Sequence, residues 1–357
     1  MNKKIAIVGI DSFLKKNYNQ ILCLNRNGIV VDILTNDTMK SSFDQMDIVN
    51  QMDNVNNKIL LLKKGLLKRV FQIIKYFYQN RNKLNHIEVY AGGRFAFLYV
   101  FFAKIFKIKV FCIERGDISN LDKYDKLTLF SMHLVYRYSD IIIYKELYMK
   151  SLLEERSNSK LYLLYNCVSS PLLTNIENKE IEFLWVNRLV KERKIEWVVE
   201  LLKSKIIIQE TAILGVLDFP DKYVKKNINL LKSIENLDNL IIQGYVNPIE
   251  YYKKSKFFLF PSEIVFGNNA LLEAMSYGVI PIVSNIERAN LIIEDGIDGL
   301  LFEHTKEGFE KVIKKALFLS NEEVLKMSLK AKEKVKRKFS CDSWCKHYLR
   351  IINKQDD

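Results

Sequence analysis

The stretch FLFPSEIVFGNNALLEAMSYGVIPIVSNIERANLIIEDGIDGLLF, residues 258–302, decides the fold. Its opening apolar run, residues 257–260 closed by Pro261-Ser262, predicts a buried parallel strand that stops at its carboxyl edge. A loop with Gly267, Asn268 and Asn269 follows, and Ala270-Leu271-Leu272-Glu273-Ala274-Met275 begins a helix. Backbone N–H groups then point out of a helix start beside a sheet's carboxyl edge, and such a place binds anions. Gly278 ends the helix after about two turns, and Val279-Ile280-Pro281-Ile282-Val283 is the next buried strand. Strand, loop, helix and strand make one βαβ unit. Glu273 falls in the first turn on this reading, where a carboxylate either offsets the helix dipole or accepts paired hydroxyl hydrogen bonds.

Working outward, Ile5-Ala6-Ile7-Val8 is a first strand ending at Gly9, followed by a helix through about Leu24 and the strand Val30-Val31-Asp32-Ile33-Leu34. No Gly-x-Gly-x-x-Gly follows that first strand, which argues against a dinucleotide-dependent oxidoreductase. Residues 50–57 read as an asparagine-rich loop. Residues 63–78 form a helix with Leu66, Leu67, Val70, Phe71, Ile74 and Phe77 on one side and lysines and Arg69 largely on another. That pattern suits a core-facing helix with a solvated basic face, or contact with a membrane. The strand of residues 109–113 ends in Glu114-Arg115-Gly116-Asp117, where Arg115 contacts phosphate or an acidic group, or pairs at the surface with Glu114 or Asp117. After the Ser169-Ser170-Pro171 linker, Glu182-Phe183-Leu184-Trp185-Val186 starts a second βαβ domain and runs into Asn187-Arg188-Leu189-Val190-Lys191-Glu192-Arg193-Lys194. Leu240-Ile241-Ile242-Gln243-Gly244-Tyr245-Val246 is a further strand ending at a glycine, with Tyr245 an aromatic that stacks on a ligand or packs internally.

With 357 residues, 48% of them hydrophobic, the chain has room for two globular domains. Its net charge of +13 is uneven: residues 1–172 hold 26 basic and 15 acidic side chains, giving +11, which leaves +2 for the remainder. A basic amino-terminal half faces something negative, and an anionic membrane surface suits it at least as well as nucleic acid. Aromatic interleaving and recognised modules for nucleic acid are missing. MNKKIAIVGI enters a strand without the features of a signal peptide, so a cytoplasmic location is expected. The most apolar run, residues 95–106, is too short for a membrane span. Five scattered cysteines fit reduced thiols. Cys341, Cys345 and His347 lie close in sequence but do not complete a zinc site, and no metal is expected.

The stretch around Glu273 resembles the donor-binding motif of the retaining nucleotide-sugar glycosyltransferases of the GT-B fold, the group 1 or family 4 type. Pro261, Ser262, Gly267, Glu273, Ala274, Met275, Gly278 and Pro281 match in kind and order, and Glu294-Asp295-Gly296-Ile297-Asp298-Gly299 matches the ending. The family's first glutamate falls on Val265, and Glu263 is the nearest carboxylate. At the second-domain turn Arg188 matches an arginine that holds the diphosphate, Arg193 replaces a lysine with the same task and Lys194 replaces a glycine. Arg115-Gly116 stands where the family often has His-Gly, and Cys167 replaces the glycine of an Asn-Gly-Val. The family's crossing helix, opened by Phe-Ser, is similar to the segment from Phe339-Ser340 to about Ile352.

The resemblance implies an α/β protein of two Rossmann-like doubly wound domains facing across a cleft. Residues 1–172 would form the acceptor side, residues 173–338 the nucleotide-sugar domain, and residues 339–357 a helix packing back on the first. It implies glycosyl transfer with retention, without metal or cofactor, from a nucleotide-sugar to a lipid-linked glycan in bacterial surface-polysaccharide assembly, at the inner face of the membrane. Arg188 and Arg193 would carry catalysis with Glu273 on the ribose. Lys194, Gly244, Tyr245, Glu263, Gly267, Asn268, Asn269 and Ala270 would bind the donor, and Gly9 and Arg115 would lie on the acceptor or sugar side. A sugar-nucleotide epimerase or hydrolase on the same fold, or a binding protein without catalysis, is the competing reading.

Overall fold

The computed structural model describes residues 3–10, 15–36, 58–63, 65–115, 118, 121–122, 124–169, 171, 179–216, 222–244, 246–265, 268–286 and 288–354. The asparagine-rich loop, Gly116, Asp117, Tyr245 and Gly267 lie outside them. The chain divides into two compact units, Met1–Cys167 with Cys341–Asp357, and Val168–Ser340.

The first unit carries a seven-stranded parallel sheet in the order β3-β2-β1-β4-β5-β6-β7. Its strands are β1 (Lys4–Ile10), β2 (Val30–Asn36), β3 (Ile59–Leu62), β4 (Leu84–Tyr90), β5 (Lys109–Glu114), β6 (Ile141–Tyr144) and β7 (Lys160–Leu163). Among the described residues five helices connect them: α1 (Lys15–Arg26), α2 (Leu66–Asn80), α3 (Ala96–Ile105), α4 (Lys126–Tyr138) and α5 (Met149–Glu154). The strands read as nearly unbroken apolar runs because both faces of a parallel sheet are covered; β6 is Ile-Ile-Ile-Tyr, buried throughout.

The second unit has a six-stranded parallel sheet in the order β10-β9-β8-β11-β12-β13. These strands are β8 (Ile181–Arg188), β9 (Thr211–Val216), β10 (Leu240–Gln243), β11 (Ser255–Phe260), β12 (Ile280–Ser284) and β13 (Leu300–Phe302). Among the described residues six helices belong with them: α6 (Ile195–Lys203), α7 (Lys222–Lys232), α8 (Ile249–Lys254), α9 (Asn269–Ser276), α10 (Lys306–Leu317) and α11 (Asn321–Lys334). In both sheets the strand order reverses once, beside β1 in the first and beside β8 in the second, which is the doubly wound pattern.

The last helix, α12 (Cys341–Asn353), belongs to the first unit. Trp344, Cys345, Tyr348, Ile351 and Ile352 join the core formed by Ile5, Ile21, Ile33 and Ile141. Tyr348 also donates its hydroxyl to the Glu88 carboxylate and lies 2.9 Å from His86 Nε2, so a buried polar cluster fixes this helix on β4. Burial raises the Glu88 carboxyl above its ordinary value, opposed by that hydrogen bond and by Arg115.

The helix at residues 63–78 departs from expectation. It runs Leu66–Asn80 and turns Ile73, Tyr76 and Phe77 inward. Leu67 and Phe71, expected on a core stripe, are 85% and 66% exposed, so the apolar side is only partly a core face. Phe101 and Ile105 of the neighbouring α3 are exposed as well, and the Tyr78 and Phe106 rings meet edge to face at 6.2 Å. Both helices thus expose apolar side chains, and Lys68 and Lys75 of α2 and Lys104 of α3 are their neighbours in sequence.

Candidate active site

At the carboxyl edge of the second sheet, the switch point lies between β8 and β11, and ligands of doubly wound sheets bind at such a crevice. Sequence places the cations there. Arg188 is the last residue of β8 and is exposed. One turn of 3-10 helix, Lys191–Arg193, leads from it into α6. Arg193 Nη1 donates to Ser262 Oγ at 2.7 Å and to the Ile264 carbonyl at 2.8 Å, and its guanidinium lies 5.5 Å from the centre of the Phe260 ring. Its Nε is buried with no partner. Burial and then Arg188 lower this guanidinium to about 10, against the opposing pull of Glu192, so it stays a cation at neutral pH.

Lys194 does not point to solvent. It adopts a left-handed backbone (φ 50°, ψ 40°) and its ammonium pairs with the Glu263 carboxylate, 5.9 Å from the centre of the Trp197 ring. Only residues with little or no Cβ conflict reach this backbone region without cost, which gives a physical reason for the glycine that the resembling sequences carry at this turn. Glu263 is held further by its own amide, which donates to the Glu192 carbonyl at 2.9 Å. Val265 is buried at 1% exposure. Its position is therefore a packing site, and the nearby carboxylate is tied to Lys194.

Helix α9 opens on its N-cap Asn268, whose side chain accepts from the Leu271 amide at 3.1 Å. The Asn268 amide nitrogen lies 3.5 Å from Asn187 Oδ1, which joins the helix start to the end of β8. Asn269 and Ala270 form the first residues of the helix, whose leading amides precede its internal bonds. Because the helix begins at Asn269, Glu273 sits in its second turn and not in the first. Dipole compensation, which fades within the first turn, no longer accounts for it. The half-buried Glu273 lies beside the buried Tyr252, whose phenol is pushed well up by burial and then by this carboxylate.

Gly244 follows β10, two strands from β8 and so about 10 Å away at ordinary strand spacing. In the first unit Gly9 lies in β1 with φ 73°, where a Cβ would come 3.5 Å from the Tyr90 carbonyl oxygen. Arg115 is not a surface residue paired with Glu114. It donates to Gln20 Oε1 at 2.6 Å and lies 5.1 Å from the centre of the Tyr90 ring, while Glu114 is buried and accepts the Tyr136 hydroxyl.

Two residues at the carboxyl edge escaped sequence reasoning. His304, beyond β13, has Nδ1 2.9 Å from Ser284 Oγ and its ring 4.9 Å from Trp197. Burial and then Lys194 hold it below the usual imidazole value, so the ring is neutral in neutral solution. Arg288, in the loop after β12, has φ 72°. A non-glycine residue at positive φ in a carboxyl-edge loop is the signal that marks it, and only coordinates supply that.

Residues 174–336 match the family described as glycosyl transferases group 1. A capsular polysaccharide biosynthesis glycosyltransferase, CapH of Staphylococcus aureus, is 31% identical over 118 residues, 32% of this chain and 33% of that protein. The matched part thus spans about a third of the length of that relative. Among solved structures, HepE of Anabaena in complex with UDP superposes with a TM-score of 0.77 at 12% identity, covering 99% of this chain and 100% of that one. A glycosyltransferase from Rickettsia africae gives 0.75 at 14% identity over 99% and 98%. These likenesses bear out the GT-B fold of two α/β domains.

Proposed function

We propose that this chain, a member of the group 1 glycosyl transferases through residues 174–336, moves a sugar from a nucleotide-sugar donor to a glycan acceptor in surface-polysaccharide assembly. The observation that carries the reading is Arg193. It is a braced cation beside Arg188 at the sheet's switch point, with a buried N–H that no protein group satisfies. A phosphate oxygen would satisfy that donor, since leaving it unmade is costly. Arg188 and Arg193 then neutralise the diphosphate that leaves, which makes the transfer independent of metal or cofactor. The start of α9 receives phosphate, Glu273 the ribose, and the end of β10 the base. In a retaining transfer the leaving phosphate itself accepts the acceptor's proton. Titrating the protein with UDP, GDP and ADP by calorimetry tests the reading, and binding of none of them sinks it.

Substitution of Glu273 by Gln should weaken nucleoside diphosphate binding by about 1.5–3 kcal/mol, because an amide loses the charge that strengthens both ribose hydrogen bonds. Unchanged affinity in a folded Glu273→Gln protein would reduce Glu273 to a neighbour of Tyr252.

The acceptor is proposed to be lipid-linked and held at the inner face of the cell membrane. No helix among the described residues is long and apolar enough to cross a membrane. The support is the exposed apolar side of α2 and α3 on a unit whose residues 1–172 carry +11. Such a surface should bind anionic vesicles in a salt-sensitive way, each nearby lysine adding about 1 kcal/mol. Co-sedimentation with anionic and neutral vesicles at low and high salt is the measurement. Equal binding to both, or to neither, removes the membrane from the proposal.

Buried Val265 favours a second reading, a nucleotide-sugar-binding protein without transfer. Product formation from a donor that binds separates the two.

A further inference from the structure

Four of the five cysteines, far apart in sequence, meet in the core that α12 completes. Cys23, Cys167 and Cys345 are buried there, and Cys341 packs against them while partly exposed. Cys341 and Cys345 are one turn apart on α12, and Cys23 lies in the last turns of α1. The fifth, Cys112 on β5, is buried outside this cluster. Among the described residues no three His, Cys, Asp or Glu side chains are placed to hold a metal ion, which leaves the chemistry of thiol pairs.

Hydrogen bonds run through one pair in a single direction. Just past the end of α1, the Asn27 side-chain nitrogen donates to the Cys23 carbonyl at 2.8 Å and to Cys345 Sγ at 3.4 Å. The Cys345 thiol donates to Cys23 Sγ. The Cys23 thiol donates to the Cys341 carbonyl in the first turn of α12 at 3.5 Å. Two sulfurs from helices at opposite ends of the chain are therefore in direct contact, which is what a disulfide requires before oxidation. A buried thiol that serves only as a small apolar side chain needs no such partner. The bond between them also divides their acidity. It holds Cys23 below the ordinary thiol value against burial, and the same bond followed by burial pushes Cys345 up, so Cys23 is the better nucleophile of the two.

We infer that Cys23 and Cys345 form a reversible redox fastener for α12, closed to a disulfide by a hydroperoxide and reopened by a low-molecular-weight thiol. The Cys23 sulfur attacks one peroxide oxygen, the O–O bond breaks, and the departing hydroxide takes the Cys23 proton and becomes water. The Cys345 sulfur then attacks the sulfenic sulfur. The S–S bond forms, the S–O bond breaks, and the hydroxyl leaves with the Cys345 proton as a second water. Two thiols are oxidised and one peroxide is reduced to two waters. Two molecules of a small thiol reverse this by exchange and leave as their own disulfide. The closed bond ties α1 to the segment that re-enters the first unit after Ser340. One turn before Cys23, Gln20 accepts from Arg115, so the fastened helix is also the one that braces this arginine.

The test exposes the reduced full chain to hydrogen peroxide in small molar excess, blocks remaining thiols with iodoacetamide and maps non-reduced peptides by mass spectrometry. The expected product is a Cys23–Cys345 cross-link, two hydrogens lighter than the thiols and released by dithiothreitol, while Cys112 stays a thiol. The cross-linked chain should melt roughly 4–16 °C above the reduced one, the range for a typical disulfide in a unit of this size. Cys345→Ala should lose the cross-link and the shift, and should leave Cys23 as a sulfenic acid that dimedone labels. The peptide map of the unaltered chain decides the connectivity even where that variant folds poorly. The assignment is overturned by a cross-link from Cys341 to Cys167 with Cys23 and Cys345 still alkylated, by no cross-link within the chain, or by a cross-linked chain that melts no higher than the reduced one.

Discussion

Arg188→Ala is expected to lower the turnover number roughly a hundred- to a thousand-fold, the loss seen when one preorganised donor to developing negative charge is removed. The donor's Michaelis constant should change less. Charge on the bridging oxygen of the diphosphate grows as the glycosidic bond breaks, so a cation placed at the switch point acts more on the transition state than on the bound donor. Arg188 holds that place as the last residue of β8, exposed at the carboxyl edge. Lys194→Ala is the control in the same loop and should be the mildest change, because its ammonium is engaged by Glu263. Steady-state kinetics with a donor chosen from the binding panel is the measurement. Wild-type turnover in Arg188→Ala would remove the leaving-group role assigned to it.

Much of the second unit was legible because its signals are local. The apolar run before Pro261, the glycine at 278 with φ 69°, and the run after it define β11, α9 and β12 almost to the residue. Arg188 and Arg193 could be placed at a strand end for the same reason. The exact start of α9 was not legible, because either asparagine can cap. The cap is Asn268, and that choice moves Glu273 from the first turn to the second. The four-residue β3 was also missed, being too short to show a period of its own beside a polar loop.

Side-chain partners across long separations were the least readable. Nothing in the order of residues announces that Arg193 reaches Ser262, that Lys194 pairs with Glu263, or that Tyr348 bonds to Glu88, 260 positions away. These pairings follow from which strands become neighbours, here β8 with β11 and α12 with β4, and sheet order is a tertiary property. The helix of residues 63–78 failed for a related reason. Its apolar stripe is wider than the face the sheet can cover, so Leu67 and Phe71 remain outside while Ile73, Tyr76 and Phe77 fill the core.

Arg193 joins both kinds of information, and its substitution should show two separable effects. Arg193→Ala removes charge-assisted hydrogen bonds to Ser262 Oγ and to the Ile264 carbonyl, which brace residues 261–265 against the turn before α6. That loss is worth about 1.5–3 kcal/mol, and for a unit of this size it should lower the melting temperature by roughly 3–12 °C. The same change withdraws a cation from the diphosphate, so turnover measured well below the new melting point should fall by a factor comparable to Arg188→Ala. Arg193→Lys divides the two effects. An ammonium restores charge, but as a compact point donor it cannot reproduce the fork that spans both acceptors while presenting Nε to a ligand. Turnover should recover more than stability in that variant. Thermal unfolding with and without nucleoside diphosphate, beside kinetics, reads both quantities. An Arg193→Ala protein that melts at the wild-type temperature would show that the two hydrogen bonds add nothing to the fold, and one that also turns over normally would leave Arg188 as the cation on which the proposed transfer rests.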